Sequence, residues 1–339
     1  MNKKTSFLLA ALALIVIIFF VLRRDTGKTL KGDDHDFAFS STKDIDKIFI
    51  SNKRTGKYVI LKKVDSANWI VNDSFKVNIH QINTLFDGFK RMKVKRPVSK
   101  NELFTVKREI AVNGTKVEVY ENGQISKVYY VGNNTRDEMG TFFLMDKAEE
   151  PYVMHIPGFN GYVGGRYHYQ LEAWRSKNIF NQKYEDIATI QVQWTADDAA
   201  SFTIDNTGND PVLIGGGKKF TNNSEVNLNK IKSYLKLWEN LSFEGFPIDL
   251  NAQKIDSISR TQPILTLTVT DKKGKTTKLR IHNKGLKRDS NIQMDSDGNP
   301  LQFDIETFYA FINDNNKEVV QIQDYIFGKV MKKISEFKL

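Results

Sequence analysis

The chain has 339 residues, enough for about two domains, and is 40% hydrophobic and 27% charged, a globular balance that excludes a disordered tail, a collagen and a multi-span membrane protein. Cysteine is absent, which excludes disulfide scaffolds, thiol catalysis, zinc sites built on thiolates and a lipid-anchored cysteine. The formal charge is +10, but Lys3, Lys4, Arg23, Arg24, Lys28 and Lys31 against Asp25 put half of it in residues 1–31, and the rest is too mild to imply a nucleic-acid partner.

Phe7 to Leu22 (FLLAALALIVIIFFVL) are sixteen unbroken apolar residues between Lys3-Lys4 and Arg23-Arg24. At about 1.5 Å per residue they cover about 24 Å, short of a hydrocarbon core of about 30 Å; Thr5, Ser6 and snorkelling basic side chains make up the difference. A cleaved signal peptide has the same start but needs small residues at the far end. Here Ala10, Ala11 and Ala13 sit early and the exit is Val21-Leu22-Arg23-Arg24. The segment therefore reads as an uncleaved transmembrane anchor, with residues 1–6 cytoplasmic; the charge flanks favour that orientation only modestly. Residues 23–36 read as a hydrated tether. Its end, Gly32-Asp33-Asp34-His35-Asp36, makes a metal site conceivable, but a solvated linker is the better reading.

The remainder reads as one module written twice, module 1 over residues 37–156 and module 2 over 184–339. Asp44-Ile45-Asp46-Lys47-Ile48-Phe49-Ile50 resembles Asp186-Ile187-Ala188-Thr189-Ile190-Gln191-Val192. Val77-Asn78-Ile79 opens one amphipathic helix and Val226-Asn227-Leu228 another, 149 residues on. Apolar residues at Ile79, Ile82, Phe86, Phe89 and Met92 match Leu228, Ile231, Leu235, Trp238 and Leu241, the spacing of one helix face. Asn78 and Asn227 suit the N-cap. Hairpin patterns follow at Val117–Tyr130 and Leu267–Ile281, then Thr141-Phe142-Phe143 matches Thr307-Phe308-Tyr309, with an insertion in Lys284–Gln302. Strands outnumber helices and hairpins outnumber crossovers. The predicted fold is α+β: an N-terminal transmembrane helix, then two tandem, duplicated, mostly antiparallel modules, each with one amphipathic helix.

Motifs for chemistry are weak. Gly215-Gly216-Gly217-Lys218-Lys219 lacks the first glycine and the Ser/Thr of a phosphate loop and reads as a turn. Asp295-Ser296-Asp297-Gly298-Asn299 with Glu306 hints at a calcium loop, but the glycine required sixth is Pro300. No two of His35, His80, His155, His168 and His282 lie three to five residues apart, so no helical metal pair exists. No nucleophile-elbow motif is present. No catalytic residue, cofactor or metal ligand is assigned, and a carboxylate-based hydrolase is the least favoured function.

The aromatic connector, residues 157–183, is the most unusual segment. Phe159, Tyr162, Arg166, Tyr167, Tyr169, Trp174 and Arg175 concentrate the residue types of binding hot spots, so they form a possible interaction surface for a sugar or a peptide. The alternative is packing, in which the rings bury area and their polar tips find partners. Asp324–Phe337 occupies the corresponding place in the second copy and reads as an amphipathic helix, a parallel that favours packing.

The anchor, the tether, D-I-x-x-I-x-[IV], a strand ending Trp69-Ile70-Val71 and the V-N-[IL] helix together resemble the bacterial domain-of-unknown-function family 4340 (DUF4340). The stretches Gly158–Tyr167 and Trp174–Phe180 look like its Bacteroidota form. The family brings no catalytic residues. Its members are typically encoded beside an ABC-type transporter and a gliding-motility-type auxiliary membrane protein. The resemblance implies a non-catalytic accessory or scaffold protein, anchored in the inner membrane through Phe7–Leu22 and facing the periplasm, with an ABC permease or auxiliary subunit as partner. An independent envelope module binding glycan or peptide is the alternative.

Overall fold

The computed structural model describes residues 34–221, 224–248, 250–286, 294 and 298–339. The anchor Phe7–Leu22, nearly all of the tether and residues 295–297 of the calcium-loop pattern lie outside these. Among the described residues no helix is long and apolar enough to cross a membrane. The chain separates into two compact units, one ending at Ser176 and the other running from Lys177 to Leu339.

In unit 1, β1 (Ile45–Asn52), β2 (Tyr58–Lys63), β3 (Trp69–Val71) and β4 (Phe75–Lys76) lead into α1 (Ile79–Arg91) and β5 (Lys93–Pro97). There follow α2 (Lys100–Asn113), β6 (Thr115–Glu121), β7 (Gln124–Asn134), β8 (Thr141–Met145) and β9 (Tyr152–His155). The strands form one sheet in the order β4-β3-β2-β1-β6-β7-β8-β9-β5, every pair antiparallel. Side chains alternate across it as the pleat requires. Ile48, Ile50, Val59, Leu61, Val117, Val119, Tyr129, Val131 and Phe143 are buried in the core. Phe49, Glu118, Tyr130 and Leu144, their neighbours along the strands, point to the opposite, outer face.

α1 closes the core face, burying Ile82, Leu85 and Phe89. Its start is set by Asn78, whose side chain accepts from the His80 N–H at 3.1 Å. The β6–β7 hairpin turns at Asn122-Gly123, both at positive φ (51° and 78°), which suits the right-handed twist of the flanking strands.

Unit 2 repeats the plan. It comprises β10 (Asn178–Phe180), β11 (Ile187–Trp194), β12 (Phe202–Asp205), β13 (Val212–Gly215), β14 (Lys218–Phe220), α3 (Leu228–Lys236), β15 (Leu241–Ser242), α4 (Ala252–Arg260), β16 (Leu265–Asp271), β17 (Thr276–His282), β18 (Thr307–Ile312) and β19 (Val320–Gln323), omitting single helical turns. The main sheet runs β14-β13-β12-β11-β16-β17-β18-β19, the order of unit 1 without its terminal β5. The two copies share even an irregularity: the central pair slips register between Ile45 and Lys47 in one and between Ile187 and Thr189 in the other. Gly216-Gly217, at φ 58° and 75°, turn the chain between β13 and β14, so the glycine-lysine stretch is a hairpin.

Three expectations need correction. Each unit carries two helices, not one. The apolar residues of α2 wind around its axis and only Val106 and Ile110 are buried, while α4 is only nine residues long and marks its apolar face with just two large residues, Ile255 and Ile258. The match of Thr141-Phe142-Phe143 to Thr307-Phe308-Tyr309 is one residue out. Thr141 pairs with Met154 and Phe308 with Ile322, and Phe308 and Ala310 supply the core face. A one-residue slip exchanges the faces of a strand. Asp324–Phe337 is not a continuous helix. One turn, Asp324–Phe327, stops at Gly328, and Phe327, Val330, Ile334 and Phe337 are buried while Tyr325 is 93% exposed.

Asn227 caps α3 by accepting from the Lys230 N–H at 3.0 Å. Asn78→Ala and Asn227→Ala are each expected to cost about 1 kcal/mol, read as a lower urea midpoint at unchanged slope.

Candidate functional site

The connector up to Ser176 packs into the core of unit 1, while its last residues, with Ile179 and Phe180, belong to the core of unit 2. Buried Thr141 anchors it: its hydroxyl accepts from the Val163 and Gly164 N–H groups at 3.1 and 3.0 Å and donates to the Asn134 side-chain oxygen at 3.0 Å. Tyr167 and Trp174 are buried with this core, and Tyr169 packs against it half-buried. The Tyr129 hydroxyl donates to that of Tyr167 at 3.3 Å, and burial pushes both phenols well above their ordinary pKa. The Trp174 indole donates to the His168 carbonyl at 2.7 Å. The segment ends in a backbone tie, with the Asn78 N–H donating to the Trp174 carbonyl at 2.7 Å and Val77 bridging Arg175.

Of the seven connector residues, Phe159 and Tyr162 remain on the surface, 41% and 43% exposed. Arg166 is spent on structure. It crosses α1 at Gly88, where a Cβ would lie 2.9 Å from its Cδ, donates to the Thr84 carbonyl, pairs with Asp87 at 3.5 Å and sits 5.4 Å from the Phe159 ring centre. Arg175 lies 4.0 Å over the ring of Phe75. The seven therefore do not converge on one open surface. The C-terminal segment does the same work in unit 2: Phe337 is buried against Phe202 and Tyr234, the Asn227 N–H donates to its carbonyl at 3.0 Å, and Val226 bridges Lys338.

A cleft that the sequence reading missed lies on the outer face of unit 1. It has a volume of about 690 Å³ between α2 and the β1–β2 hairpin. Phe49, Tyr58, Ile110, Ala111, Tyr130 and Leu144 supply apolar surface, and Lys53, Lys57, Lys107 and Lys116 supply charge. α2 approaches the sheet closely because Gly132 leaves room for Ile110, which would lie 2.7 Å from a Cβ there. No periodic signal could have revealed this site, because its lining comes from four separate stretches that meet only in the folded sheet.

Beside the cleft runs a polar row. Lys116 Nζ donates to Glu118 Oε1 at 2.7 Å, the Tyr120 hydroxyl donates to Glu118 Oε2 at 2.6 Å, and Lys47 Nζ lies 3.4 Å over the Tyr120 ring. Burial disfavours the Glu118 charge, but the hydrogen bonds from Lys116 and Tyr120 outweigh it and hold the carboxyl below its ordinary pKa. The same carboxylate pushes Tyr120 up to about 12. Glu118 is thus a carboxylate at neutral pH and a structural partner, not a proton donor.

His282 is buried in unit 2. Its Nδ1 meets the Thr261 hydroxyl at 2.9 Å, its ring packs edge-on to Phe311, and its Nε2 has no partner among the described residues. Burial first, and then the Arg280 charge, lower its pKa from 6.5 to about 4. Among the described residues no group of three or more His, Asp or Glu could hold a metal ion.

A family model described as "Domain of unknown function (DUF4340)" matches residues 69–263, more than half of the chain. The chain belongs to this family. No curated protein and no solved structure matches it. The DUF4340 match runs from β3 of unit 1 to just beyond α4 of unit 2. It includes the connector and α2 and leaves β1 and β2, with Phe49 and Tyr58, outside.

Two predictions follow from this geometry. Trp174→Ala is expected to cost about 3–5 kcal/mol, while Phe159→Ala costs about 1 kcal/mol or less, measured by calorimetric unfolding. The unfolded chain protonates His282 near 6.5 and the folded one only near 4. Its contribution is therefore complete above pH 6.5 and is lost as pH falls toward 4. In melting curves across that range, His282→Gln flattens the slope whatever its stability at pH 7.

Proposed function

We propose that this chain is a membrane-tethered, periplasm-facing accessory protein of an ABC-type transport complex that acts by binding rather than by chemistry, and that it is of the Bacteroidota type. The observation that carries the reading is the pairing of an unbroken apolar stretch at Phe7–Leu22 with two repeated antiparallel sheets. Each sheet has a core face closed by one helix, and the second helix covers only part of the outer face, whose remainder supports contacts. A tether of this kind raises the effective concentration of weak binding surfaces next to a membrane partner. The partly buried carboxylates Glu118, Asp304 and Glu336 are all held below their ordinary pKa, the opposite of what a general acid requires. The family resemblance supplies the expected partner, a permease or its auxiliary subunit. A glycan- or peptide-binding module is the second reading, for which Phe159 and Tyr162 are the exposed connector aromatics.

The full chain is expected to resist alkaline extraction from membranes and to become extractable when residues 7–22 are deleted. Crosslinking in native membranes is expected to recover a permease or auxiliary subunit stoichiometrically. Recovery of no membrane partner, under conditions that preserve known transporter complexes, overturns the reading. Loss of glycan or peptide binding in Phe159→Ala/Tyr162→Ala then supports the second.

A further inference from the structure

We infer that the outer-face cleft of unit 1 binds one long-chain carboxylate of the fatty-acid class. The acyl chain lies along Phe49, Tyr58, Ile110 and Leu144, and the carboxylate sits among Lys53, Lys57 and Lys107. This goes beyond the accessory role and does not depend on it.

Four observations carry the inference. The cleft, at about 690 Å³, falls within the range of about 300–1,000 Å³ typical of small-molecule sites, and its surface is chiefly apolar. A purely inorganic anion has no use for such a surface. The charge at its rim is of one sign. Lys116 is already engaged by Glu118, whereas Lys53, Lys57 and Lys107 have no ion pair with a described carboxylate. All three are exposed, and an anionic head group gains from their field where a neutral lipid gains nothing.

The strand beneath the cleft has no free edge. β1 is paired on one side by β2 and on the other by β6, so an extended peptide finds no backbone to pair with. An unbranched chain that binds by apolar contact alone does not need one.

The second copy has dismantled the same place. Phe49 stands opposite Glu118, and the corresponding pair is Gln191 opposite Thr268. Lys116 stands opposite Tyr130, and the corresponding pair is Thr266 opposite Arg280. Leu144, opposite Tyr130, corresponds to Phe311, opposite Arg280. Phe311 is fully buried in a cluster with Tyr309 and Val319, against which Ile255 and Ile258 of α4 pack. The scaffold therefore does not require the aromatic and cationic lining of unit 1, because unit 2 keeps the strand order with a polar, filled alternative.

The test uses the full chain in zwitterionic nanodiscs, photolabelled with a diazirine-bearing palmitate and mapped by mass spectrometry. Label is expected in residues 49–58 and 107–116. Palmitate should compete for it, while methyl palmitate and inorganic phosphate should not. Ala111→Trp, at an exposed helix position that leaves folding intact, is expected to abolish the label. Lys53→Gln/Lys57→Gln/Lys107→Gln is expected to weaken palmitate competition about tenfold. Unchanged melting temperatures exclude misfolding as the cause. Label scattered over the surface, equal competition by the methyl ester, stronger competition by an acidic peptide, or labelling insensitive to Ala111→Trp each overturns the inference.

Discussion

One backbone hydrogen bond closes each unit. The N–H of the helix-capping asparagine donates to the carbonyl of a buried aromatic residue from the far end of the same unit, Asn78 to Trp174 and Asn227 to Phe337. The same asparagine organises the first turn of the helix with its side chain. Helix entry, sheet and terminal aromatic segment are thus tied at one point. The main-chain acceptor of a buried aromatic residue, Trp174 or Phe337, is satisfied where an unpaired group is costly. With the core face sealed this way, the second helix of each unit is left to the outer face, and the two copies use that face differently.

The contrast between copies separates what folding demands from what it permits. Ile48 and Ile50 of β1 become Ile190 and Val192 of β11; Val117 and Val119 become Leu267 and Val269. These are apolar exchanges of similar volume, the kind a packed core tolerates. Between them, Phe49 becomes Gln191 and Glu118 becomes Thr268. The outer positions are free of the packing constraint, and only unit 1 uses them for an aromatic and lysine-lined cleft. The aromatic connector lies on the constrained side of this division, with Thr141, Tyr167 and Trp174 held in the core.

The repeat, the helix faces and the antiparallel class were legible because they are periodic. Ile82, Phe89, Ile231 and Leu235 recur at helical spacing and are buried in the structure. The connector was legible as a concentration of aromatic residues, but composition does not tell a ring buried among its own module's strands from one held out to a ligand. The second helices were hidden because little of their surface is buried: Phe104 of α2 is 77% exposed. The cleft was hidden for a geometric reason. Phe49, Lys107, Tyr130 and Leu144 acquire a common meaning only once β1, β6, β7 and β8 are placed side by side and α2 is laid against them.

A chain that contains the same strand order twice also contains two near-equivalent mates for each central strand. β1 must wait for β6, bringing Ile50 to Val117, and β11 must wait for β16, bringing Val192 to Leu267. Such distant closures are slow, and until they occur the apolar edges of both copies are open to one another. The shared bulge and the matching core sequences would accommodate a hybrid sheet of β1 with β16. Domains generally fold as units in the order of synthesis, and a first sheet completed before the second copy's strands exist leaves no open edge for a crossed pairing.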